Sequence, residues 1–140
     1  MPACLLDTCF VYSAFTEGEK DHVDAEALLK ILTENLAMKI IIPWPIFYES
    51  LNTRLIKNKN FQNVAKLFNS NQVIKLDDTN YREDAFSEVL SKNNLSTSLV
   101  DYILIKILED TNVRTDFFIT KNMRDFYMFE GKVGLEFFRY

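Results

Sequence analysis

Glycine and proline are scarce in this 140-residue chain, with three residues each. That scarcity excludes a disordered tail, a collagen-like repeat and a low-complexity array. It also goes with the lack of two phosphate-cradling loops, since neither G-x-G-x-x-G nor G-x-x-x-x-G-K-[ST] occurs. Two cysteines, Cys4 and Cys9, are too few for a disulfide framework. On one extended strand they would face opposite sides, so buried inert thiols are expected rather than a redox pair. A single histidine, His22, leaves no Cys/His set for zinc and reads as a helix-surface residue. Apolar runs are short: the longest, around Ile40, Ile41 and Ile42, is far below the length that spans a bilayer. Asp7 interrupts the N-terminal apolar stretch with no basic residue before it, so no signal peptide is expected. A surplus of positive charge is missing as well. Sixteen Lys and Arg face twenty Asp and Glu, a net charge of −4, so only a local basic rim could attract nucleic acid. What is present is 48% hydrophobic and 26% charged residues, which predicts one globular domain over 1–140, cytoplasmic and off membranes.

Short apolar runs alternate with amphipathic stretches. Ala3 to Phe10 begins as a run of strand length, and Asp21 to Asn35 carries Val23, Ala27, Leu28, Ile31 and Leu32 at helical spacing. Lys39 to Ile42 is a β-branched run stopped by Pro43; Pro45 suits the first turn of a helix continuing from Ile46 to Ile56. Asn60 to Asn69 reads as a helix, Gln72 to Leu76 as a strand, and Tyr81 to Lys92 as a helix capped by Asp78 or Thr79. Ser96, Thr97 and Ser98 offer caps for a helix ending near Asp110, Asp116 to Thr120 is a compact strand, and Val133 to Phe138 is a last one. The asparagine-rich stretch from Asn52 to Asn71 predicts an exposed helical hairpin. Strand candidates without polar alternation imply a sheet covered on both faces, an α/β/α sandwich around a mostly parallel sheet. Such sheets place their sites beyond the carboxyl ends of the strands.

Four acids fall there. Asp7 follows the first strand, Glu49 lies one turn into the helix after the second, Asp101 opens the Ser98 helix, and Asp125 follows the Phe117–Thr120 strand. Each has an ordinary role open to it: an Asx turn for Asp7, a capping box with Ser98 for Asp101, a turn for Asp125. Together they repel unless a cation neutralises them, and oxygen-rich acidic clusters select hard ions such as Mg²⁺ or Mn²⁺.

The ordered segments Leu5-Leu6-Asp7-Thr8, Pro45-Ile46-Phe47-Tyr48-Glu49, Ser98-Leu99-Val100-Asp101 and Thr120-Lys121-Asn122-Met123-Arg124-Asp125-Phe126 resemble the four acidic motifs of PIN domains, and the last resembles the VapC-type toxins of toxin–antitoxin pairs. The resemblance runs from Leu5 to Phe126; between Lys57 and Lys92 it is one of pattern, and Tyr102 stands where many members carry a small residue. It implies a Mg²⁺- or Mn²⁺-dependent ribonuclease with Asp7, Glu49, Asp101 and Asp125 as its catalytic, metal-holding quartet. It further implies an RNA substrate, an antitoxin protein partner and a homodimer. Asn122 occupies a position that is Asp in some members. Thr8 and Thr120 are candidates to orient the acids, and Arg54, Lys57, Lys121 and Arg124 are candidates for phosphate contacts. Phe10, Tyr12 and Phe15 follow Asp7; core packing is their default, and an aromatic near the site could stack a base. The Phe-rich tail from Phe126 to Tyr140 could shield the sheet edge or meet a partner.

Two other readings compete. A receiver-like, phosphorylation-controlled signalling domain would place Asp77 as phosphoacceptor beside Asp7, with Lys121 after the last strand. A catalytically silent PIN scaffold would bind RNA or protein without cutting.

Overall fold

The N-terminal apolar run is extended only over β1 (Ala3–Leu6). Asp7 stays extended (φ −95°, ψ 157°) while its carboxylate accepts a hydrogen bond from the Thr8 amide at 2.7 Å, and α1 (Thr8–Phe15) begins. Ala3 to Phe10 is therefore part strand and part helix, and Cys9 lies on α1, where the strand-face argument for the cysteines does not apply. Both thiols are free; Cys4 is buried and Cys9 half-buried. The computed structural model describes residues 1–91, 96–138 and 140.

The remaining elements are α2 (His22–Glu34), β2 (Lys39–Pro43), α3 (Trp44–Ser50), α4 (Thr53–Ile56), α5 (Phe61–Phe68), β3 (Val73–Leu76) and α6 (Thr79–Ser91). After them come α7 (Leu99–Glu109), β4 (Phe117–Ile119), α8 (Met123–Phe126), a 3₁₀ turn (Tyr127–Phe129) and β5 (Glu136–Phe138). The five strands form one parallel sheet in the order β3-β2-β1-β4-β5, with helices supplying the crossovers that parallel pairing needs. β1 is central, Cys4 pairing with Ile40 on one side and Phe117 on the other, and Cys4, Leu5 and Leu6 are wholly buried. This is the single-domain, helix-flanked α/β fold that the apolar strand runs predict.

Several local expectations are corrected. The helix expected over Ile46–Ile56 breaks at Leu51–Asn52 because Asn52 caps its successor: Oδ1 accepts from the Arg54 amide at 3.1 Å and the Leu55 amide at 3.3 Å. The asparagine-rich stretch is not simply exposed, since Leu55, Val64, Leu67 and Phe68 are buried while Asn58 and Asn60 bond across to Thr16 and Phe15. His22 is not a surface residue: Nδ1 lies 2.9 Å from the Ser13 carbonyl, and Nε2 lies 3.3 Å from Glu26. On α2 two apolar stripes coexist. The helix buries Ala25 and Leu32, with Leu28 and Leu29 packed against the core, and leaves Val23 and Ile31 exposed. At the start of α6, Asp77 rather than Asp78 bonds the Thr79 amide, and Asp78 pairs with Arg82. Lys92, the expected end of that helix, lies outside the described residues.

The Phe-rich tail does cover the sheet edge, as its outermost strand: Phe138 stacks on Phe117 with ring centroids 4.5 Å apart. Gly131 (φ 77°) and Gly134 (φ 84°) take the left-handed turns that lead into β5. Among the described residues no helix is long and apolar enough to cross a membrane.

Candidate active site

The chain builds β1, β2 and β3 toward one edge, then returns to add β4 and β5 on the other side of β1. Such a reversal opens a crevice beyond the carboxyl ends of the two strands at which it occurs, here β1 and β4. Asp7 leaves β1 and Thr120 leaves β4 into it. The Asp7 amide donates to the Ile119 carbonyl at 3.1 Å, and Thr120 Oγ1 donates to Asp7 Oδ2 at 2.7 Å.

Asp7, Glu49 and Asp101 line one cavity of about 400 Å³, together with Thr8, Asn122 and Arg54. That volume falls within the range of small-molecule sites. Glu49 comes from α3, and its Oε1 accepts from Thr8 Oγ1 at 2.5 Å. Asp101 comes from the first turn of α7. It closes a capping box, its Oδ2 accepting from the Ser98 amide (3.1 Å) and hydroxyl (2.9 Å) while the Asp101 amide donates to Ser98 Oγ (3.2 Å). The structural and the site positions of Asp101 thus coincide in one residue.

The fourth acid is placed differently. Asp125 is buried and does not line the cavity; Thr97 Oγ1 donates to its Oδ1 at 2.8 Å and Asn122 Nδ2 to its Oδ2. Asn122 stands between Asp125 and the cavity as the group that reaches it. Of the four basic candidates only Arg54 lines the cavity. Lys57 and Arg124 are exposed and do not line it, and Lys121 pairs with Asp21 and sits 5.1 Å from the centre of the Tyr140 ring. Tyr102 packs against the core and is not among the lining residues. The sequence pattern did not single out Ser50, Asn52, Leu55 and Cys9 as lining residues. Ser50 is buried with no hydrogen-bond partner for its hydroxyl among the described residues.

Burial lifts the Asp7 carboxyl from 3.8 to about 6. The charges of Asp101 and, more weakly, Glu49 push the same way, while hydrogen bonds from Thr120 and Thr8 pull it down. Asp7 therefore feels both other acids of the cavity. Even so, among the described residues no group of three or more His, Cys, Asp or Glu is arranged to hold a metal ion. Asp101 is turned onto Ser98 and Glu49 onto Thr8, so the acids share a cavity without meeting at one point.

The receiver-like reading fails on topology. β3 is separated from β1 by β2, so Asp77 does not stand beside Asp7, and it is bound up in the start of α6.

No family profile matches this sequence, and no curated protein does. Among solved structures, the chain is similar to a chain of VapBC2 from Rickettsia felis, crystallised bound to a DNA fragment from their promoter. The two are 20% identical, superpose with a TM-score of 0.54, and the match covers 98% of each chain. At this identity the likeness is one of fold: a parallel α/β domain over 98% of each chain.

Proposed function

We propose that this chain is a divalent-metal-dependent endoribonuclease, the toxin of a toxin–antitoxin pair, with Asp7, Glu49 and Asp101 as the acids of its metal site. The observation that carries the reading is Asp7. It is a buried carboxylate at the reversal point of a parallel sheet, lifted to about 6 by burial and by two further carboxylates of the same cavity. Carboxylates crowded in this way are relieved by a cation.

The donor set suits a hard ion in kind. Asp7, Glu49, Asp101, Thr8, Ser50 and Asn122, all among the lining residues, carry carboxylate, hydroxyl and amide oxygens, and the Ser50 hydroxyl has no partner among the described residues. Asp7, Glu49 and Asp101 would hold Mg²⁺ or Mn²⁺, which when bound supplies activation of the attacking water and neutralisation of the scissile phosphate. The chain's own residues do the rest. Thr120 and the Thr8 amide fix both oxygens of Asp7, while Glu49 and Asp101, held on Thr8 Oγ1 and on Ser98, would have to turn from those hydroxyls to share an ion with it. Asp125 acts through Asn122, a lining residue whose Nδ2 it engages, which leaves the Asn122 amide oxygen free of that contact. Arg54 contacts substrate phosphate. The antitoxin partner and the homodimer are inferred from the resemblance of the four acidic motifs to those of VapC-type toxins.

Cleavage of single-stranded RNA by the purified chain tests this reading. Cutting is expected with Mg²⁺ or Mn²⁺, none with EDTA, and none by folded Asp7→Asn or Asp101→Asn. Equal cutting by Asp101→Asn in Mg²⁺, or undiminished cutting in EDTA, would overturn it.

A further inference from the structure

Beside the acids, the lining of the cavity includes Tyr12 and Arg54, and these two touch each other. The Arg54 guanidinium carbon lies 4.5 Å from the centre of the Tyr12 ring. Arg54 is the single cationic side chain lining the cavity among the described residues, and it forms no ion pair there despite the acids nearby. Both residues are positioned by the same features that build the acidic site. Tyr12 lies one helical turn beyond Thr8, so the two share a face of α1, and Thr8 bonds Glu49. Arg54 is the second residue of α4, whose start is held by Asn52, itself a lining residue that donates to the Glu49 carbonyl at 2.6 Å.

A guanidinium and a half-buried ring in the lining of one cavity match the two recognition elements of an unpaired nucleotide. Arg binds phosphate through a planar fork, and an aromatic face stacks a base whatever its identity. The chain carries net charge −4, so an anionic strand needs a local cation here, and Arg54 is the one in place. A base in a duplex is already stacked on both faces and cannot reach Tyr12 without leaving its pair. Resting on the nuclease reading of the same cavity, we propose that Tyr12 and Arg54 form a subsite for one unpaired nucleotide flanking the cleaved phosphate, Tyr12 stacking its base and Arg54 taking its phosphate.

Equilibrium binding of a short fluorescein-labelled single-stranded RNA, in Mg²⁺ and in EDTA, tests the proposal separately from cleavage. Tyr12→Leu should weaken binding about tenfold or more, whereas Tyr12→Phe, which keeps the ring face, should stay near wild type. Arg54→Gln should reduce the slope of log affinity against log salt by about 0.7, the loss of one single-strand phosphate contact. A set of the same oligomers, each with one abasic position, supplies the readout that a structural role would not move. At one position the penalty of Tyr12→Leu should vanish, because the base it stacks is gone. The matching duplex should bind more weakly and be indifferent to Tyr12→Leu. An equal penalty on every abasic oligomer, or duplex binding as tight as single-strand binding, would overturn the subsite. Wild type that cuts RNA while Tyr12→Leu and Arg54→Gln bind and cut normally would overturn the subsite alone. Strand binding that depends on Tyr12 and Arg54 without any cutting would overturn the nuclease reading alone. No strand binding by wild type would overturn both.

Discussion

Replacing Asp7 by asparagine exchanges a buried carboxylate for an amide of nearly the same shape, and in the metal-free protein this should stabilise the fold. Asp7 titrates at about 6 in the folded chain against 3.8 ordinarily, with burial the main cause and Asp101 and Glu49 adding to it. An acid whose folded value is raised binds its proton more tightly in the native state. Stability is therefore greatest below the unfolded value and falls as pH rises through the window from 3.8 to about 6. At about 1.4 kcal/mol per unit, the ionised carboxylate costs about 3 kcal/mol above that window. The amide returns most of this, less about 1 kcal/mol for weaker hydrogen bonds to Thr120 Oγ1 and the Thr8 amide. A net gain of about 2 kcal/mol corresponds to a Tm about 5 °C higher in a domain of this size. Urea melts of wild type and Asp7→Asn in EDTA, from about pH 4 to about pH 8, isolate the difference from every other titrating group. The gap should be near zero or favour wild type at the acid end and favour Asp7→Asn at the neutral end. Adding Mn²⁺ should then stabilise wild type more than the variant, by mass action on the native state. A variant less stable than wild type at neutral pH, with a gap that does not change with pH, would refute the reasoning.

Thr120→Val removes the hydroxyl that bonds Asp7 Oδ2 and holds the carboxyl down. Its stability deficit in EDTA should widen as pH rises from about 4 to about 7, and a deficit independent of pH would count against that role. Ser98→Ala breaks the capping box of α7 and should cost about 1 kcal/mol in urea melts. Gln72→Leu strips the amide that faces the carbonyls of Leu32, Asn35 and Met38, and should cost about 1–3 kcal/mol by leaving buried acceptors unpaired. A loss under about half a kcal/mol in the same assay would show that water replaces the amide.

The parallel sheet was legible because its central strands are continuous apolar runs, and no polar alternation in Ala3–Leu6 or Ile40–Ile42 leaves a face for solvent. Two local features were not. Thr8 to Phe15 is rich in aromatic and β-branched residues that favour strands, and only the Asp7 cap and the packing of Phe10, Ala14 and Phe15 into the core make it a helix. The stripe Val23, Ala27, Ile31 has the same helical period as the stripe that α2 buries, and periodicity does not say which one faces the sheet. At the site, Asp7, Glu49 and Asp101 were legible because each sits directly after a strand or one turn into a helix, positions that topology carries to one crevice. Asn122 and Asp125 are the N-cap and third residues of the short α8. Their spacing brings the two side chains together, but which of them faces the cavity depends on Thr97 arriving from a distant segment to bind Asp125.

That last contact belongs to a pattern that links the four acids. Thr120 donates to Asp7, Thr8 to Glu49, Ser98 to Asp101 and Thr97 to Asp125, so each carboxylate is held by a hydroxyl. An Arg or Lys in any of these places would orient the acid equally well and cancel its charge, leaving the crevice with no electrostatic demand for a cation. A hydroxyl fixes the oxygen and leaves the charge in place. The basic residues near the site follow the same division, since Lys121 is drawn away to Asp21 and Arg54 rests on the Tyr12 ring instead of on Glu49. The negative charge of the cavity is thus preserved by the choice of partners, at the expense of the stability that Asp7→Asn should restore. A fold that only needed these acids as caps and turns would have no reason to keep that charge uncancelled at three positions around one cavity.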